Sequence, residues 1–169
     1  MKKSFNQQKI TISVIGARKA PHRVEQIAHD VGEIVANSGA VLVCGGLSGV
    51  MEAAAKGAKE AGGLTIGLLP GKDKKDANPY IDIALPTSIG FARNACVACS
   101  ADIIIALPGS YGTTSEICYG LVYDRPVIDL GNWNIKGMIK IKGVAELEDV
   151  LKKHIRKIQK RTHARTPRS

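Results

Sequence analysis

Six apolar runs of strand length recur along the chain: Ile10–Ile15, Ala40–Val43, Leu64–Leu69, Ile81–Leu85, Asp102–Leu107 and Pro126–Leu130. Most are continuous rather than alternating, the pattern of strands covered on both faces. The fourth is the weakest. Between the first two runs, Val24, Ile27, Ala28, Val31, Ile34 and Val35 fall three and four residues apart, and Ser38-Gly39 stops that helix. Further helices are predicted over Val50–Ala61, Phe91–Ser100 and Thr114–Tyr123. A last one, over about Val144–Lys160, puts Leu147, Val150, Leu151, His154, Ile155 and Ile158 on one face. Pro70–Tyr80 and Gly131–Gly143 carry neither period. Strands alternating with helices predict right-handed βαβ units, in an α/β fold of Rossmann-like three-layer sandwich type with a mostly parallel sheet.

Length fits one such domain. The 169 residues, 44% hydrophobic and 23% charged, supply a core of ordinary size. We expect that single nucleotide-binding domain over residues 1–160, followed by a basic, disordered tail at 161–169. Aromatic residues are only 4% of the chain, a poor composition for a nucleic-acid stacking surface. No run approaches the roughly 20 apolar residues of a membrane-spanning helix. The start MKKSFNQQ lacks the apolar segment of a signal peptide. A cytoplasmic protein is therefore expected, with Cys44, Cys96, Cys99 and Cys118 as free thiols. The net charge of +9 changes the picture little, because eight basic residues and no acid fall between Leu151 and Ser169. The rest of the chain is close to neutral. A solvated extension accounts for the charge, so no nucleic-acid partner is expected.

The candidate chemistry sits where strands end and helices begin, the place at which open α/β sheets bind ligands. Gly16, in VIGARKA, lets a ligand lie close to the backbone after the first strand, with Arg18 and Lys19 able to face a phosphate. Gly45-Gly46-Leu47-Ser48-Gly49-Val50-Met51 follows the second strand. Its glycines let backbone N–H groups converge on an anion at a helix N-terminus. It matches neither the dinucleotide G-x-G-x-x-G nor the Walker pattern. Pro108-Gly109-Ser110-Tyr111-Gly112-Thr113 forms a second cradle, rich in hydroxyls, and Glu116 is expected in the first turn of the helix that follows. Arg93-Asn94 opens the preceding helix, where a guanidinium could reach a phosphate or a base edge. Cys96 and Cys99 form a C-x-x-C on one helical face, but with no second pair and no histidine nearby we expect neither a metal site nor a cofactor.

These turns resemble the LONELY GUY family, historically labelled lysine-decarboxylase-like. Its pattern combines GGxxGxM, PGGxGTxxE and an arginine one helix earlier. The matching residues are Gly45, Gly46, Gly49 and Met51; Pro108, Gly109, Gly112, Thr113 and Glu116; and Arg93. The likeness runs from about Ile10 to Leu130. The VIGARKA start, the segment GLLPGKDKKDANPYIDIALPT and the Arg93-Asn94 pair look more like the branch of molybdenum-cofactor carrier proteins. The phosphoribohydrolase branch has Arg-Lys there, and glycine at the position of Ser110. The resemblance implies either hydrolysis of the N-glycosidic bond of a nucleoside 5′-monophosphate, with Arg93 and Glu116 catalytic, or non-catalytic carriage of a nucleotide or phosphate-bearing cofactor. It also implies a homodimer or higher homo-oligomer formed through helices beside the site, such as the one over Phe91–Ser100. No lysine stands in a pyridoxal-phosphate context.

Overall fold

The computed structural model describes residues 8–165. Strands β1 (Thr11–Ile15), β2 (Val41–Cys44), β3 (Thr65–Leu69), β4 (Ile83–Pro86), β5 (Ile103–Ala106), β6 (Val127–Asp129) and β7 (Ile139–Lys140) form one sheet in the order β4-β3-β2-β1-β5-β6-β7. Every pairing is parallel, with Ile12 opposite Leu42 on one side and Ile103 on the other. The helices are α1 (His22–Asn37), α2 (Val50–Glu60), α3 (Arg93–Cys99), α4 (Tyr111–Val122) and α5 (Val144–Arg165). The result is an α/β Rossmann-like three-layer sandwich.

Strand pleating divides the core. Ile12, Val14, Leu42, Ile103 and Ile105 point to one face, where Ala28, Val31 and Val35 of α1, Ala54 and Ala58 of α2, and Leu147 and Leu151 of α5 cover them. Ile15, Ile104, Ala106 and Val127 point to the other, against Val97 and Ala98 of α3 and Ile117 of α4. Two carboxylates repeat one device at the N-terminal ends of the strands. Asp102 Oδ2 accepts from the backbone N–H and Oγ1 of Thr11, at 2.9 and 3.2 Å. Asp82 Oδ2 does the same for Thr65, at 3.0 and 3.1 Å. Each bond fixes the start of a strand against its neighbour.

Four expectations need correction. The segment Gly131–Gly143 is not wholly irregular, since it holds β7, a two-residue edge strand. The third helix begins at Arg93, because Gly90–Ala92 form a separate 3₁₀ turn. The fourth begins at Tyr111, directly after the extended Ser110, so Glu116 stands in its second turn and not its first. The last runs to Arg165, so positions 161–165 of the expected tail continue the helix, and 166–169 lie outside the described residues. No helix among the described residues is long and apolar enough to cross a membrane. All four cysteines are free.

Candidate ligand cleft

The sheet order reverses direction between β1 and β5, which opens a crevice at the carboxyl ends of those two strands. The loops leaving them are tied together there: the Ala17 N–H donates to the Pro108 carbonyl at 3.0 Å. The crevice is a cleft of about 450 Å³. Gly16, Ala17 and Arg18 form one wall, Ser110, Gly112 and Thr113 another, and Gly45, Met51, Arg93, Asn94 and Glu116 also line it. Leu47, Pro70, Gly90 and Phe91, with Val14 and Ile15 at the end of β1, complete the lining.

Arg93 and Glu116 are both 6% exposed. Arg93 Nη1 lies 3.5 Å from Glu116 Oε1 and donates a shorter bond, 2.7 Å, to Asn94 Oδ1. Nη2 reaches the Gly45 carbonyl at 3.4 Å. This last contact explains one glycine, since a Cβ on residue 45 would lie 2.5 Å from Nη2 and 2.7 Å from the Met51 sulfur. Asn94 in turn donates to the Gly112 carbonyl and to Ser115 Oγ, at 3.3 and 3.1 Å, so α3 and the start of α4 are latched together. Burial raises Glu116 to about 7, and the nearby Arg93 only partly opposes it. Burial also lowers Arg93, against the pull of Glu116. Cys44, beneath the glycine turn, is pushed up to about 11 by burial and accepts from the Gly46 N–H, so it is an inert thiol.

At the start of α4, Ser110 makes no side-chain cap, so the first-turn N–H groups keep their attraction for an anion. Ser110 has φ −130 and ψ −157, an extended conformation open to any residue. The backbone there does not require the glycine found in the phosphoribohydrolase pattern.

Five predicted positions do not line the cleft. Gly49 caps α2 at φ 69, where a Cβ would press on the Ala17 and Arg18 carbonyls, so its role is to seat the second turn against the first. Gly46 packs on Gly67 and Leu69 of β3, Gly109 on Thr113, and Pro108 holds Ala17. Lys19 also falls outside the lining. Sequence reasoning missed Asn78, whose N–H donates to the Gly46 carbonyl (2.9 Å) and whose Nδ2 donates to that of Leu47 (2.8 Å). An isolated asparagine in an aperiodic segment gave no signal of this clamp. Phe91 lines the cleft too, and nothing in its sequence context signals that place.

Fold and site define a parallel α/β protein with a glycine-bordered cleft at the switch point of its sheet. Residues 9–164 match the SLOG cluster4 family, and the chain belongs to it. The chain is 46% identical, over 119 residues, to an uncharacterised protein of Archaeoglobus fulgidus, an alignment covering 70% of this chain and 78% of that one. It is 29% identical to the cytokinin riboside 5′-monophosphate phosphoribohydrolase of Mycobacterium tuberculosis, covering 73% and 71%. Among solved structures it is similar to the molybdenum cofactor binding protein of Rippkaea orientalis, with TM-score 0.79, 34% identity and coverage of 89% and 99%. It is also similar to the molybdenum cofactor carrier protein of Chlamydomonas reinhardtii, with TM-score 0.81, 31% identity and coverage of 88% and 99%. These likenesses agree with a LONELY GUY-like fold.

Proposed function

We propose that the cleft binds a nucleotide-sized ligand through its phosphate, which sits at the N-terminus of α4 beside the Gly16–Arg18 turn. The observation that carries this reading is the uncapped start of α4 opening into the cleft, with Ser110, Gly112 and Thr113 on its lining. Both kinds of named relative support it. The phosphoribohydrolase acts on a riboside 5′-monophosphate, and the molybdenum cofactor is itself phosphate-bearing. Binding without cleavage is favoured by Asn94, which stands where the hydrolase pattern has lysine and takes the shortest bond of Arg93.

Glu116 favours a second reading, hydrolysis of a nucleoside 5′-monophosphate. A carboxyl near 7 is half ionised at neutral pH, the range in which acid–base groups are most effective. When the C1′–N bond breaks, its electron pair leaves with the base and positive charge grows on the ribose. Ionised Glu116 would stabilise that charge, while water adds to C1′ and a proton reaches the base. Arg93, with both terminal nitrogens already engaged, acts by orienting Glu116 rather than as the proton donor to the base. A second copy of the chain covers α4 where Tyr119 and Val122 are exposed, with Tyr123 exposed at its C-terminal cap. The free thiols suit a cytoplasmic protein.

The test is incubation with AMP, GMP and a cytokinin nucleotide, with chromatographic detection of free base, alongside calorimetric titration with ribose 5-phosphate, AMP and molybdopterin. Binding without base release supports carriage. Release that is lost in Glu116→Gln, with phosphate binding retained, supports the hydrolase. Absence of binding by every ligand would overturn both.

A further inference from the structure

Phe91 is an apolar side chain left 88% exposed, although it lines the cleft two residues before Arg93. It is one of only two phenylalanines in the chain. Its exposure does not come from a loose loop. The Thr87 N–H donates to the Leu69 carbonyl at 3.0 Å, Ser88 to Gly71 at 3.0 Å, and Gly90 to Pro70 at 3.0 Å. Ala92 then closes the 3₁₀ turn onto Ile89. To make this path the backbone enters the left-handed region twice, at Ser88 (φ 58) and Gly90 (φ 57). Serine in that region is strained, so the surrounding hydrogen bonds hold the turn against a local cost. The outcome is an aromatic residue carried on a hydrogen-bonded turn into the lining of the cleft, a lining it shares with Pro70 and with the polar start of α4.

We propose that Phe91 is the platform on which the ligand's planar heterocycle stacks. The ligand is then a phosphate ester that carries a flat aromatic ring system, not a sugar phosphate alone. This rests on the phosphate-binding reading above and deepens it. The two ends of the cleft divide the work: the N–H groups of α4 take the anion, and Phe91, Pro70 and Leu47 take the apolar faces of the ring, leaving its polar edges in solvent. Stacking tolerates different heterocycles because each presents a π-face. Phe91 thus selects for an aromatic ring and little for its substituents.

The experiment compares AMP with ribose 5-phosphate in calorimetric titrations of the full chain and of Phe91→Ala, Phe91→Leu and Phe91→Trp. Wild type is expected to bind both. Phe91→Ala should weaken AMP by roughly 10- to 100-fold and leave ribose 5-phosphate within about twofold. Phe91→Trp should retain AMP affinity and Phe91→Leu should not. Equal losses for the two ligands, or none for AMP, would overturn the stacking role. So would a change of oligomeric state on sizing of Phe91→Ala with AMP affinity intact, which makes the ring an interface residue. Failure of wild type to bind ribose 5-phosphate as well as AMP strikes the phosphate-site reading itself, and the stacking proposal falls with it.

Discussion

A carboxyl group that is solvated in the unfolded chain and buried in the fold binds its proton more tightly once folded. Glu116 is such a group, raised from 4.5 to about 7 by burial. Between those values the folded state holds the extra proton, so this residue makes stability fall as pH rises from about 4.5 to 7. Above 7 the full penalty of a buried charge is present, and below 4.5 it is gone. Its size across the window is on the order of 3 kcal/mol. Urea unfolding at pH 5 and pH 8 should show this slope, and Glu116→Gln should flatten it. Arg93→Met removes the one cation paired with Glu116 among the described residues and should cost about 3 kcal/mol at pH 8. That cost should shrink toward pH 5, where Glu116 is neutral. An equal cost at both values would mean that Arg93 acts through packing and not through charge.

Among the elements, the two glycine-bordered turns behave differently under substitution. Gly49 sits at φ 69 and ψ −129, and a methyl group there would lie 2.5 Å from the Arg18 carbonyl oxygen. Gly49→Ala should therefore lose about 3 kcal/mol in denaturant midpoint analysis. Ser110→Gly should change stability by no more than about 1 kcal/mol, because the conformation at 110 is an ordinary one. The same contrast shows what was legible in the sequence. Continuous apolar runs announced β1, β2, β3 and β5 because parallel strands are buried on both faces. β7 could not be read, since Ile139–Lys140 is two residues long and held by pairing to β6 alone. Nor could the early start of α4. Tyr-Gly-Thr reads as turn, and the helix is set there by burial of Thr113 and the latch from Asn94 to Gly112. Arg93 and Glu116 were found from their residue types and their neighbouring turns. Their mutual geometry was not, because it depends on contacts between elements distant in the chain.

On the scale of the whole molecule, α3 and α4 cover one face of the sheet and leave Tyr119 and Val122 exposed on α4, with Tyr123 exposed at its C-terminal cap. If a second copy covers this patch, Val122→Glu should convert a dimer to a monomer in light-scattering detection of sized protein. A monomeric wild type would remove that part of the proposal. On the opposite face, α5 is a structural member of the domain despite its basic C-terminal half. Leu151, 1% exposed within that core, should cost about 2–5 kcal/mol when changed to alanine, seen as a lowered urea midpoint.

The pairing of β1 with β5 has a consequence for the order of assembly. Thr11 and Asp102, which close the start of that pair, are 91 positions apart. The strands on the other side of β1 come from the next stretch of chain. Loop-closure entropy therefore favours contacts within the β1–α1–β2–α2–β3 half over those of the β1–β5 seam, which join residues far apart in the chain. The cleft straddles that seam, so it does not exist in a half-folded chain. A ligand gripping both sides binds only the completed fold. It should slow hydrogen exchange most at β5 and the start of α4, making occupancy a latch on a long-range junction of the molecule.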